Sequence, residues 1–174
     1  MKEIIVNYKR ANLTESTHKI KVLVVDINKN TLLTSKSEND FIYPRSSIKI
    51  FQAIPFIESN AHKYYKLSIK NIALACSSHR GEDFHIKELT KWVNKIGVSK
   101  KKLLCGIHNP LNLKASEKLF RSNKIANQLH NNCAGKHLAM LSSCLLNKKS
   151  IKNYLEFNHS HQKKIRDIFS KFTE

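Results

Sequence analysis

Strand-like patterning is confined to the first 34 residues, and helical periodicity governs nearly everything from Ser46 onward. Residues 4–8 form a short β-branched run, and residues 19–27 pass from alternation into a continuous apolar stretch. Asn28-Lys29-Asn30 supplies turn chemistry, so Thr31–Thr34 is expected to return as a hairpin strand. Strands first and helices after, without regular strand–helix alternation, predict a mixed α/β class of the α+β kind rather than a doubly wound sheet.

The helical part is punctuated by recognisable stops and starts. Residues 46–59 read as a helix that Pro55 should kink or end. Ser68 is placed to cap a helix running through Cys76. Ile86, Leu89, Val93 and Ile96 fall on one face of a helix stopped by Gly97. Ser99 is placed to cap a further short helix up to Gly106. Residues 113–120 and Ala134–Leu146 read as helices, the second apolar enough to be buried. Ser160 opens a last helix with Ile165, Ile168, Phe169 and Phe172 on one face. There is no internal repeat and no low-complexity linker, and 174 residues suffice to bury a core.

The chain carries 31 basic and 13 acidic residues, a formal charge of +18, which invites polyanions as partners. Of the basic residues 26 are Lys and only 5 are Arg, whereas base readout and phosphate forks favour Arg. They are also scattered, with one dense run at Lys100-Lys101-Lys102. Nucleic acid is therefore disfavoured as the main partner. No stretch approaches the ~18–20 apolar residues of a membrane span, and the apolar run within residues 1–9 is shorter than a signal peptide's core. A cytoplasmic protein with reduced thiols is expected, leaving Cys76, Cys105, Cys133 and Cys144 for metal binding, catalysis or burial.

Ser46-Ser47-Ile48-Lys49 is an S-x-x-K motif, which on a helix sets a lysine beside a serine hydroxyl. A lysine can activate a serine once its proton is displaced by burial or neighbouring cations. The motif alone does not discriminate, because 17 Ser and 26 Lys produce three further matches, at Ser16/Lys19, Ser99/Lys102 and Ser160/Lys163. Ser46/Lys49 differs in context, since its lysine interrupts an otherwise apolar stretch. A second cluster, residues 130–137 (His-Asn-Asn-Cys-Ala-Gly-Lys-His), puts Cys133 at the start of the apolar helix, where anionic groups are favoured. That thiol is either a ligand or nucleophile, or a buried inert cysteine. Cys76/His79 and Cys105/His108 are both C-x-x-H pairs, so a structural zinc site is a further reading, and a basic zinc-containing nucleic-acid-binding protein is the alternative function. The polar turn Ser78-His79-Arg80-Gly81-Glu82 suits an active-site rim.

Four blocks taken together resemble the rhizobial-type (class 3) L-asparaginases in order and approximate spacing. They are Glu15-Ser16-Thr17-His18, Pro44-Arg45-Ser46-Ser47-Ile48-Lys49, residues 73–82 (Ala-Leu-Ala-Cys-Ser-Ser-His-Arg-Gly-Glu) and residues 130–137. The resemblance implies a fold related to serine β-lactamases and glutaminases, and hydrolysis of L-asparagine to aspartate and ammonia. It implies Ser46 as nucleophile, Lys49 as its base, Ser78 as a second active-site serine, and Cys133 and Lys136 as two ligands of a Zn²⁺ site. Family members continue well beyond 174 residues, and the third zinc ligand, a cysteine, and the lysine partner of the second serine fall in that missing part. The expectation is thus that residues 1–174 are the N-terminal portion of a single asparaginase domain, apparently truncated at the C-terminus. Such a chain is an incomplete or inactive fragment, or one completed by a C-terminal chain or a homodimer. Asn60 stands where the family usually has glycine, a departure that strains the turn if that position needs a positive φ.

Overall fold

A computed structural model describes residues 4–35 and 41–173. The chain divides into two compact units, Met1–Tyr43 and Pro44–Glu174. The first three residues of the N-terminal segment discussed above lie outside the described residues.

The first unit holds two antiparallel ribbons. β1 (Ile4–Arg10) pairs with β2 (Leu13–Ile20), Ile4 opposite Ile20, with a register irregularity between Tyr8 and Lys9. β3 (Leu23–Val25) pairs with β4 (Thr31–Thr34), Leu23 opposite Thr34. The turn joining them is closed by Asp26, whose carboxylate accepts from the backbone amides of Asn28 and Asn30, each at 2.8 Å. The predicted single strand over 19–27 is instead divided after Ile20. β2 also begins earlier than its pattern suggests, because residues 14–18 are polar on both sides and are made a strand by pairing with β1 rather than by burial.

The second unit is helical. A 3₁₀ turn (Arg45–Ile48) runs into α1 (Lys49–Glu58), followed by α2 (Ala61–Tyr64), α3 (Ile69–Cys76), α4 (Asp83–Ile96), α5 (Leu113–Arg121), α6 (Ala134–Leu146) and α7 (Ser160–Thr173). Together with the ribbons this makes an α+β chain. No helix among the described residues is long and apolar enough to cross a membrane.

Local chemistry accounts for most of these boundaries. Ser68 and Asn71 form a capping box at the start of α3, and Glu82 and His85 form one at the start of α4, which ends at Gly97. Asn60 precedes α2 with φ +57°, the left-handed conformation that asparagine tolerates best after glycine. Two boundaries differ from expectation. Pro55 does not end α1, which runs on to Glu58 with the buried Pro55 carbonyl accepting from the Ser59 amide at 3.1 Å. The helix expected from Ser99 to Gly106 is only a 3₁₀ turn over Lys100–Lys102, three adjacent lysines offering no apolar face to bury.

α6 is the centre of the unit. α1, α2, α3 and α4 all pack on it, and every residue from His137 to Cys144 is buried. Phe56, Leu89, Trp92, Leu138, Met140 and Leu141 fill the surrounding core, each contributing about 1.5–3 kcal/mol on burial. Trp92 is oriented by its Nε1, which donates to Ser142 Oγ at 2.9 Å, and Ser142 in turn donates to the Leu138 carbonyl at 2.7 Å. α7 rests on α1 through Phe51, whose ring centroid lies 5.2 Å from those of both Phe169 and Phe172.

Candidate active site

α3 and α6 cross backbone to backbone. A methyl group added at Gly135 would stand 2.1 Å from the Leu74 carbonyl oxygen, so only glycine permits this approach. The crossing brings the C-terminal end of α3, and the Ser77-Ser78 segment that follows it, beside the first turn of α6. The start of α1 packs on both helices and carries Lys49 into the same place.

Lys49 is only 3 % exposed. Its Nζ donates to the Ser77 carbonyl at 3.1 Å and to Ser78 Oγ. Both acceptors are neutral. Ser78 Oγ donates onward to Ser46 Oγ at 3.1 Å. Lys49, Ser78 and Ser46 therefore form a continuous line from a buried amine to an exposed hydroxyl. The S-x-x-K spacing places Lys49 directly against Ser46, but the structure interposes Ser78, 29 residues further along the chain. Arg45, immediately before Ser46, has φ +48°, a left-handed conformation costing a non-glycine residue about 1–2 kcal/mol.

Two imidazoles lie within electrostatic reach of Lys49. His79, next to Ser78 and 3 % exposed, has its pKa lowered to about 4, first by burial and then by the charges of His85, Lys49 and His108. Its Nδ1 accepts from the Gly81 amide at 3.2 Å, while Nε2 makes no well-formed hydrogen bond, although the Asn131 backbone is close enough to favour the protonated ring. Gly81 has φ +76°, and a side chain there would meet Pro110 at 2.9 Å, so the turn after Ser78 is wedged in place. His137, on α6, is pushed down to about 3 by burial, then by Lys136 and Lys49; its Nδ1 meets the Tyr154 hydroxyl at 2.7 Å. Both rings are neutral at physiological pH. The sequence places His79 in a polar active-site rim and His137 in the 130–137 cluster, without foretelling that both lie beside Lys49.

Cys133 is the N-cap of α6 and Lys136 lies in its first turn, three residues on and so on the same side; both are half-buried. A thiolate is a donor that Zn²⁺ takes, and the i, i+3 spacing sets the Lys136 amine on the same side of the helix as Cys133. The two C-x-x-H pairs are not gathered into a metal site. Cys105 Sγ donates to the Gln128 carbonyl at 3.7 Å, and His108 is engaged through Nδ1 with the Asn109 carbonyl and through Nε2 with the Asn132 amide at 3.1 Å. Among the described residues no three His, Cys, Asp or Glu side chains converge on one metal-sized space.

The model of the family described as L-asparaginase II matches residues 6–174. The chain belongs to that family. No curated protein matches it. Membership of the L-asparaginase II family gives the line of Lys49, Ser78 and Ser46 a chemical context, amide hydrolysis, that the geometry alone leaves open.

Proposed function

We propose that this L-asparaginase II family member is an amidohydrolase that converts L-asparagine to L-aspartate and ammonia, with Ser46 as nucleophile and Lys49 as base. The observation that carries the reading is the hydrogen-bonded line from buried Lys49 through Ser78 to exposed Ser46.

In this reading Lys49 acts from its neutral amine form. It takes the Ser78 proton while Ser78 takes the proton of Ser46, reversing the direction of both hydrogen bonds. The Ser46 oxygen attacks the side-chain amide carbon of asparagine. Collapse of the tetrahedral adduct breaks the carbon–nitrogen bond, and the proton held at Lys49 returns through Ser78 to the departing nitrogen, which leaves as ammonia. Water then opens the Ser46 ester with Lys49 again as base, releasing aspartate. Zn²⁺, if held by Cys133 and Lys136, would supply electrostatic polarisation beside the reaction centre.

The test is ammonia release from asparagine by the intact chain and by Ser46→Ala. Release that depends on Ser46 supports the reading, and equal rates sink it.

A further inference from the structure

The helical unit holds a cavity of about 580 Å³, framed by the first turn of α4, by α5 and by the segment that leads from α5 into α6. That volume lies within the roughly 300–1,000 Å³ of small-molecule sites. Ser46, Lys49 and Ser78 do not line it, so it is separate from the proposed catalytic line. Ile86, Leu119 and Ile125 supply its apolar wall.

His130 supplies its polar side. The residue is only 7 % exposed, yet it lines the cavity. Its Nδ1 accepts from the Asn127 amide at 3.0 Å, so that nitrogen carries no proton and the neutral ring holds its proton on Nε2. Among the described residues this Nε2–H has no acceptor. A polar group on a buried side chain is rarely left unpaired, and the cavity is the space from which a partner can reach it. Lys124 lines the same cavity and has no acidic partner among the described residues. Lys118 is different, because its ammonium is paired with Asp83. That pair cancels, which leaves the Lys124 ammonium as the cavity's uncompensated charge.

We propose that this cavity binds a small organic carboxylate with an aliphatic body. Its oxygens accept from His130 Nε2–H and from the Lys124 ammonium, and its chain lies against Ile86, Leu119 and Ile125. A buried donor beside a free cation selects an anion. The apolar wall selects one that carries a hydrocarbon body, since an inorganic anion would leave that wall uncovered. A cationic ligand would find only the carboxylate of Asp83, already paired.

The experiment titrates the intact chain with sodium isocaproate at constant ionic strength, followed by saturation-transfer NMR. Isohexyl alcohol, which has the body without the charge, and inorganic phosphate, which has charge without the body, are the comparison probes. Isocaproate is expected to bind saturably and at least about tenfold more tightly than either. The His130 Nε2–H signal in nitrogen–proton correlation spectra should shift along the same saturation curve. Lys124→Ala should weaken binding roughly 10–100-fold, the cost of one hydrogen bond to a charged group. Ile125→Glu should abolish it by setting a like charge against the carboxylate; the Ile125 side chain is 90 % exposed, so this change leaves the core intact. Ser46→Ala should bind as the wild type does. The proposal is overturned by the absence of saturable binding, by equal affinity for the alcohol or for phosphate, or by a Lys124→Ala or Ile125→Glu protein that binds as tightly as the wild type. Binding lost in Ser46→Ala also overturns it, by assigning the carboxylate to the proposed catalytic line instead.

Discussion

Ser78 Oγ donates a hydrogen bond to Ser46 Oγ across 3.1 Å, and the same oxygen accepts from Lys49 Nζ. Ser78 therefore stands between Lys49 and Ser46, the residues proposed as base and nucleophile, rather than beside them. Ser78→Ala should cut ammonia release by about 10²–10⁴-fold, the contribution of a positioned general base, and Ser46→Ala by at least as much. Ser47→Ala, whose hydroxyl only bonds back to the Pro44 carbonyl, should retain activity. Steady-state rates for the three variants check the order; a fully active Ser78→Ala would remove the relay.

Gly135→Ala tests the crossing that assembles the site. Helix propensity alone favours alanine by about 1 kcal/mol. The added methyl, however, falls 2.1 Å from backbone that cannot swing away. The net change is expected at or above the upper end of the roughly 1–3 kcal/mol typical of overpacking, read as a lower urea midpoint. An unchanged midpoint would mean that α3 and α6 slide apart at little cost.

Tyr154→Phe removes one oxygen that serves two groups. The Tyr154 hydroxyl accepts from the Leu104 amide at 2.8 Å and meets His137 Nδ1 at 2.7 Å, in a side chain with no exposure. Orphaning these buried groups should cost about 1–3 kcal/mol with little change in volume. Denaturant unfolding of the variant measures it, and a neutral result would show that water replaces the hydroxyl.

Stability should fall in mild acid. His79, His137 and His161 are buried and neutral, with pKa values lowered from 6.5 to about 4, 3 and 4, in each case chiefly by burial. As pH drops below 6.5 the unfolded chain takes up protons that the folded chain refuses, so folding weakens between about pH 6.5 and pH 3–4 and is undiminished by these groups above that window. Melting temperatures from pH 7.5 to 4.5 should decline steadily. His161→Gln should flatten the decline if that ring, whose Nε2 has no partner, is one of its sources.

The helices were legible because their ends carry chemistry: Ser68 with Asn71, Gly97 after Ile96, and the apolar rows of α4, α6 and α7. β2 was not, since a polar strand held by its neighbour has no periodic signature of its own. At the site, spacing associated Lys49 with Ser46, and resemblance associated Ser78, Cys133 and Lys136 with them. What spacing could not reveal was that Lys49 reaches Ser78 across 29 residues, because that contact is set by how α1, α3 and α6 dock.

The Gly135–Leu74 crossing also has a temporal meaning. Ser46 and Lys49 leave the ribosome early, followed by Ser78, but the helix that holds Ser78's segment in place, residues 134–146, is synthesised well after it. A nascent chain thus lacks the support of Ser78's segment until α6 has emerged and docked, so the line of Lys49, Ser78 and Ser46 is completed together with the core rather than ahead of it.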